Sequence, residues 1–361
     1  MEKHKILPTK ELKRLKKEKK ERTAEKIIKN LERRELMKSV ASNSAKPVPK
    51  NIISELSSDV KGRNYTISIA VPGSILDNAQ TPELRTYLAG QVARAAAVFS
   101  VDEVVVYDDE GVKDKINSDL VVKKSRGCEQ LSKILQYLEC PQYLRKHFFP
   151  IHKDLQFAGV LNPTDMPHHL RTQESSLYRE GIVTDRPAKE GSCFVNIGLK
   201  GDCMIKRSIK PGMRVTVRLS DDYEWDKKLS GKVVSPSEPR TKAGLYWGYT
   251  VRIAKDLSSV LTGCPFPDGY DLTLGTSEKG TDVDDCTLPE FKHLLIVFGG
   301  VGGIEAALEV DEQLQVNDPK DLFDQYINTC PSQGSRTIRS EEAILITMAT
   351  LRHKISAAVG S

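Results

Sequence analysis

Four glycines, Gly299, Gly300, Gly302 and Gly303, sit in the stretch LLIVFGGVGGIEAAL (294–308), where an apolar run hands over to a helical pattern. Backbone at such a turn can approach a ligand closely, because no Cβ stands in the way. Two phosphate-binding readings fail on spacing. Counted from Gly300, the last position of G-x-G-x-x-G falls on Glu305, and no G-K-[ST] follows. A carboxylate is also a poor neighbour for pyrophosphate. By itself, a glycine turn after a strand also serves as a plain tight connection. Two further stretches of small residues share its character, GTSEKG (275–280) and CPSQGSRT (330–337). Arg85 and Arg94 lie nine residues apart in one helical pattern, two and a half turns, so they need not share a face. Asp77 and Asn78 follow the first strand-like run and could line an acceptor's side of a site. Ser340, Glu341 and Glu342 read as helix capping, a Ser N-cap with acids in the first turn.

The elements that would position these residues alternate. YTISIAV reads as a strand and PGSILDNAQ as a loop. TPELRTYLAGQVARAAAVF reads as a helix with Thr81 as N-cap and Pro82 in its first turn. VDEVVVYD (101–108) is a second strand, so the three make a βαβ unit and imply a parallel sheet. One helix is expected near 128–148. Between them and the next α/β stretch come REGIVT, SCFVNIG, DCMIKR, MRVTVRL and GKVVSP, short runs separated by Gly, Pro and Asp. Such runs predict a small β-barrel, OB-like first, with SH3-like or PUA-like barrels left open. After YWGYTVRIA (246–254) the α/β pattern returns: YDLTLGT and HLLIVFGG as strands, a helix from Ile304, a short strand in LFDQYINTC (322–330), and a closing helix from Glu341. The barrel is therefore expected inside an α/β domain, which divides the chain into 1–61, 62–150, 151–245 and 246–361.

Bulk properties narrow the class. The 361 residues give room for roughly two domains. The net charge of +5 hides a split: residues 1–50 hold 17 Lys and Arg against 7 Asp and Glu, and the rest of the chain holds 37 against 42. The basic tail implies nuclear entry or attraction to RNA phosphates. SVASNSAKPVPKN (39–51) reads as a linker. No run of 18 apolar residues and no secretory signal occurs, so a soluble intracellular protein without membrane partners is expected. Seven cysteines stand singly with no C-x-x-C, which suits reduced thiols and gives no metal site. The adjacent His168 and His169 are expected in a polar loop. In the barrel, Arg214, Arg218, Lys232, Arg240 and Lys242 could track an RNA backbone or merely solvate a β face.

Across roughly residues 62–356 the chain resembles the SPOUT class of RNA methyltransferases, and more narrowly the eukaryotic SPOUT-domain-containing methyltransferase with an OB-like insertion. GQVARAAAVFSVDEVVV resembles its first motif, LLIVFGGVGGIE its glycine-rich second, and YINTCPSQGSRTIRSEEAILI its third. The resemblance implies an α/β fold with a trefoil-knotted parallel sheet, an inserted OB-like β-barrel and a basic N-terminal tail; the knot enters only this way, since topology rules argue against one. It also implies S-adenosyl-L-methionine bent into a pocket of three loops. The cofactor contacts it implies are Thr276, Gly280, Gly299, Gly300, Ile327, Asn328, Cys330, Gly334, Ser335, Arg336, Thr337 and Ile338. For the reacting centre it implies Arg94, with Arg85 and Asn78 as further candidates. The SpoU-like branch has Asn six residues before its Arg and a Ser-Leu-Asn in its third motif; here stand Leu88 and Arg336-Thr337-Ile338. A base nitrogen, uridine-like, in a structured RNA such as ribosomal RNA is therefore expected at least as much as ribose. The resemblance further implies a homodimer, a nuclear or nucleolar protein, and association with spindle and kinetochore. A non-catalytic RNA-binding or spindle scaffold on the same fold stays open. A Rossmann-like methyltransferase ranks lower, because SIAVPGS offers one glycine where that fold needs a rich loop.

Overall fold

The computed structural model describes residues 62–111, 126–220, 229–314, 316 and 318–360; the basic tail lies outside these residues. Six strands form one parallel sheet. They are β1 (Thr66–Pro72), β2 (Glu103–Tyr107), β8 (Thr250–Ala254), β9 (Leu272–Asp282), β10 (His293–Val297) and β11 (Gln325–Asn328), in the order β11-β9-β10-β1-β2-β8. Parallel sheets are covered on both faces, so their strands read as unbroken apolar runs. All seven residues of β1 are buried accordingly. Ile67, Ile69 and Val71 join one core with α1 (Pro82–Val98), α2 (Arg126–Glu139) and α7 (Ser340–Ala358). Ala70, between them in the alternation, joins the opposite core with α5 (Leu257–Thr262) and α6 (Gly303–Val310). The central pair β1–β10 joins distant parts of the chain: Thr66 Oγ1 lies 2.8 Å from His293 Nδ1, 227 residues away.

Thr81 caps α1 as the sequence predicts, its hydroxyl accepting from the Leu84 N–H. The single helix expected over 128–148 is two, α2 and α3 (Gln142–Phe148), because Pro141 lacks the N–H needed to continue the first. Thr250–Ala254, near the start of the expected second α/β stretch, is the edge strand β8.

The barrel strands are β3 (Tyr178–Val183), β4 (Cys193–Asn196), β5 (Cys203–Ile205), β6 (Arg214–Leu219) and β7 (Ser230–Val234), each on an expected run. They close in the order β3-β4-β5-β7-β6, with β5–β7 parallel and the other pairs antiparallel. First, second, third, fifth, fourth is the Greek-key order of an OB barrel. Val195, Ile197, Cys203, Ile205, Val217 and Leu219 fill it.

One face of the barrel is fixed to the α/β domain by a buried charge network. Arg214 on β6 donates to both oxygens of Glu139 at the end of α2 (2.7 and 2.9 Å) and, through Nε, to Glu180 on β3 (2.7 Å). Trp247 Nε1 and Thr216 Oγ1 donate to the other Glu180 oxygen at 2.7 and 2.6 Å. Burial alone would raise the Glu139 pKa, but the Arg214 charge and the His168 hydrogen bond outweigh it and hold it down at about 2. Two sequence expectations are corrected here. Arg214 is no solvated β-face residue. Arg240 sits in α4 (Glu238–Ala243) and reaches Asp102 and the carbonyls of Arg63 and Tyr65. The histidine pair lies in a loop, as expected, but a packed one: His168 is fully buried, and both rings meet the Glu139 carbonyl.

Candidate functional site

A cavity of about 610 Å³ opens where β9, β10 and β11 end. Crevices at the carboxyl ends of parallel strands are the usual ligand sites of open α/β sheets. All three small-residue loops of the sequence meet there. Of the expected cofactor contacts, Thr276, Gly299, Gly300, Asn328, Cys330, Arg336, Thr337 and Ile338 line it, as does Asn78 from the acceptor set.

The first loop is a break in strand pairing. Tyr326 faces Gly275, but the next residue, Ile327, faces Thr281, so residues 276–280 bulge out between two anchored ladders. Thr276 Oγ1 donates to the Val297 carbonyl at 3.0 Å, and Asn328 Nδ2 to the Glu278 carbonyl at 3.1 Å. Gly280 does not line the cavity. A Cβ there would run into the backbone of Ile327 and Asn328, so its glycine lets two strands close up. Ile327 is core, 1% exposed, and forms the floor behind the loop.

The second loop is the glycine turn. Tyr107 Oη, buried, donates to the Phe298 carbonyl at 2.7 Å, which fixes where the turn begins. A Cβ on Gly299 would strike the backbone of Gly303 and Ile304, and Gly303 itself has φ +75°. A Cβ on Gly300 would lie 2.6 Å from Asp109 Oδ2 and 2.9 Å from Ser74 Oγ. These two groups hydrogen-bond each other, and burial raises the Asp109 pKa against the lowering effect of Ser74.

The third loop comes from residues 328–339. Asn328 Oδ1 accepts from the Cys330 N–H at 3.0 Å, which turns the chain out of β11. Gly334 and Ser335 lie off the cavity wall; the Ser335 hydroxyl holds the loop by donating to the Thr337 carbonyl at 2.8 Å. Ser340 is not the N-cap expected of it. Arg339 precedes the helix as cap residue, and the Glu342 carboxylate accepts its N–H at 3.0 Å. The Ser340 hydroxyl instead donates to the Gly299 carbonyl at 3.0 Å, tying the third loop to the second.

The reacting-centre candidates are separated. Asn78 faces the cavity. Arg85 folds back on its own loop, Nε to the Ala79 carbonyl at 3.3 Å and Nη2 to Asp77 at 3.3 Å. Arg94 donates to the Pro163 and Thr164 carbonyls at 3.2 and 2.8 Å. It lines a smaller cavity of about 220 Å³ with Tyr87, Gly90, Gln91, Asn162 and Leu345. Sequence reasoning missed Lys279 and Glu305, an ion pair of 2.8 Å on the wall of the main cavity, though Glu305 had already stood out as the residue that spoils the dinucleotide pattern.

The wall is thus mostly backbone, hydroxyl and amide, with charge limited to Glu278, Lys279, Glu305, Arg336 and Arg339. Such a surface suits a neutral heterocycle joined to a small zwitterion better than a polyphosphate. Among the described residues no three His, Cys, Asp or Glu converge as a metal set.

A family model described as "Putative RNA methyltransferase" matches residues 66–351. The chain is 61% identical over 297 residues to the 28S rRNA (uridine-N(3))-methyltransferase of Homo sapiens, covering 81% of this chain and 79% of that one. The Drosophila melanogaster protein of the same name is 48% identical over 350 residues, covering 93% and 70%. A putative methyltransferase of Caenorhabditis elegans, spot-1, is 40% identical over 360 residues, covering 94% and 89%.

Proposed function

The chain belongs to this SPOUT-class RNA methyltransferase family, and from that premise we propose that it transfers a methyl group from S-adenosyl-L-methionine to N3 of a uridine in large-subunit ribosomal RNA. The observation that carries the reading is the convergence of the three loops on one cavity. The activity by which the human and fly relatives are named supports the acceptor. The residues fit the cofactor: glycines at 299 and 300 bring backbone to the wall, and the absence of a phosphate on the cofactor matches a wall without a P-loop lysine. When bound, the cofactor supplies an electrophilic methyl group on sulfur.

The protein's part is placement. Backbone of the 298–303 turn and the 328–338 loop holds the cofactor, and Ser340 keeps those loops in register through Gly299. Asn78 projects a carboxamide, one donor group and one acceptor, from the cavity edge nearest β1. Its amide donor can meet a uracil carbonyl beside N3 in an unstacked base, which leaves N3 itself open to the methyl group. Forming the N3–methyl bond breaks the sulfur–methyl bond, and the N3 proton passes to solvent water at the open side of the cavity.

A homodimer belongs to the same reading. Leu84 and Tyr87 on α1 and Leu345 on α7 are 52%, 44% and 41% exposed, and the smaller cavity lies between these helices. Apolar side chains grouped this way suit a face between two copies. Sedimentation of Tyr87→Glu against the parent protein tests it, with a monomer expected. A ribosomal RNA acceptor supports a nucleolar location, which imaging of the tagged full chain tests.

The main test is methyl transfer from labelled S-adenosyl-L-methionine to ribosomal RNA, followed by nucleoside mass spectrometry. N3-methyluridine is expected. A ribose-methylated product would overturn the acceptor, and no product with measurable cofactor binding would favour a scaffold.

A further inference from the structure

The barrel has two unlike outer faces. One, built from β3 and β6, is consumed by the Glu139–Arg214–Glu180 network and Trp247. The other, built from β4, β5 and β7, carries no such partner network among the described residues, and its side chains follow from the strand alternation. Cys193 and Val195 point into the barrel, so Phe194 points out; Cys203 and Ile205 point in, so Met204 points out. A Cβ on Gly231 would meet Val217 and Cys203 in the core, so Lys232 points out. Register places Phe194 opposite Met204, and Met204 beside Ser230.

What stands on this face is a stack with cations around it. The Arg186 guanidinium lies over the Phe194 ring, 4.4 Å from its centroid. Met204 is 37% exposed beside it. Lys206 and Arg207 leave the end of β5 exposed, and Lys232 is exposed on β7. Asp202 lies 3.6 Å from Arg186 in an open pair with that guanidinium 60% exposed. An aromatic–guanidinium platform ringed by exposed cations is what proteins use for unpaired bases on a phosphate backbone. The second and third strands of five-stranded Greek-key barrels are a face suited to such chains.

We propose that Arg186, Phe194, Met204, Lys206, Arg207 and Lys232 form a docking platform for a single-stranded segment of the RNA substrate, separate from the methyl-transfer cavity. The proposal rests on the RNA reading of the protein. Because the opposite barrel face is fixed by buried ion pairs, a strand held here stays at a set distance from the cavity. The platform contributes to substrate binding and leaves the cofactor untouched.

The test uses the full chain and a fluorescently labelled oligouridylate, read by anisotropy at several salt concentrations, with ribosomal RNA as substrate in parallel. Phe194→Leu keeps an apolar side chain and removes the ring; about tenfold weaker oligonucleotide binding is expected. Phe194→Trp should restore it, which a merely structural role would not produce. Lys206→Ala with Arg207→Ala should reduce the slope of log K against log salt by about 1.4. For Phe194→Leu on ribosomal RNA, KM should rise while kcat and S-adenosyl-L-methionine affinity stay at the parent value. Wild-type oligonucleotide affinity in Phe194→Leu, or equal loss in Leu and Trp variants, would overturn the platform. Platform-dependent binding without any methyl transfer would leave the platform standing and remove the proposed reaction instead.

Discussion

The three-loop cavity and the barrel junction are built from opposite materials. At the cavity the bonds that shape the site are mostly made by or to backbone: Ser340 to the Gly299 carbonyl, Thr276 to Val297, Asn328 to Glu278, Tyr107 to Phe298. At the junction they run between side chains, with two buried carboxylates and a buried indole gathered around a guanidinium that is 31% exposed. Backbone walls can close around a ligand without setting its charge. Buried side-chain ions are costly to unpair, so they fix one arrangement of barrel and sheet. The buried carboxylates serve geometry, while the charges on the cavity wall are fewer than its neutral groups.

The largest effect should come from breaking the junction. Arg214→Ala leaves Glu139 and Glu180 buried without their cation and should cost about 3–5 kcal/mol in denaturant unfolding. At low denaturant the surviving folded protein should still bind S-adenosyl-L-methionine with near-parent affinity in calorimetry. A loss below 1 kcal/mol would mean that the network does not hold the barrel.

Acid should act on the same region next. Burial, with His168 beside it, pushes the His169 pKa down from 6.5 to about 4. The unfolded chain therefore takes up a proton in that interval and the folded one does not, so stability is present above pH 6.5 and is lost as pH falls through 4. At 1.36 kcal/mol per unit the loss is on the order of 3 kcal/mol. Glu139, held at about 2 against an ordinary 4.5, adds a second loss between those values. Melting followed by tryptophan fluorescence from pH 7 to pH 4 should show a falling midpoint, and a flat profile would detach protons from the junction.

Gly300→Val strikes the cavity instead. Its branched side chain must displace Asp109 and Ser74, which shifts the turn that brings backbone to the cofactor. S-adenosyl-L-methionine affinity should fall about a hundredfold, about 2.7 kcal/mol, with the unfolding midpoint changing far less. Parent-like binding would reduce the glycine turn to a connection.

Smallest is Ser340→Ala, which leaves the Gly299 carbonyl without its hydroxyl. About 1 kcal/mol is expected, read as a few-fold rise in the cofactor Kd. No change in Kd would show that the third loop finds its place without the second.

The same contrast explains what could be read from sequence. Strands such as TISIAVP and HLLIV announce themselves, because a sheet covered on both faces demands apolar residues at most positions, with Thr66, Ser68 and His293 the exceptions here. Five barrel runs were legible from turns and alternation. Glycine loops were legible as close approaches, and their shared cavity came from the resemblance, since strand order is not written locally. Gly280 and Ile327 fell on the right segments but support the wall from behind. Arg94 shows the limit most clearly: its spacing from Gly90 gave no hint that the 163–164 carbonyls would occupy its guanidinium. Arg214 was misread for the same reason, and the burial of His168 was not foreseen. Their partner Glu139 comes from a distant helix, and nothing near either residue signals that it will be met there.

The pairing of β1 with β10 also sets a schedule for synthesis. Thr66 and His293 lie side by side in the sheet but are 227 residues apart in the chain. At about 5–20 residues per second, the ribosome takes on the order of 10–45 s to deliver the second strand after the first. During that interval β1 can pair with β2, whose matching residues are made soon after, while its other edge stays open. The barrel, with every strand partner local, can close in the meantime. The nascent chain therefore carries a finished module in the middle and an unfinished sheet edge near its start, and that edge is the part of this protein most in need of a chaperone.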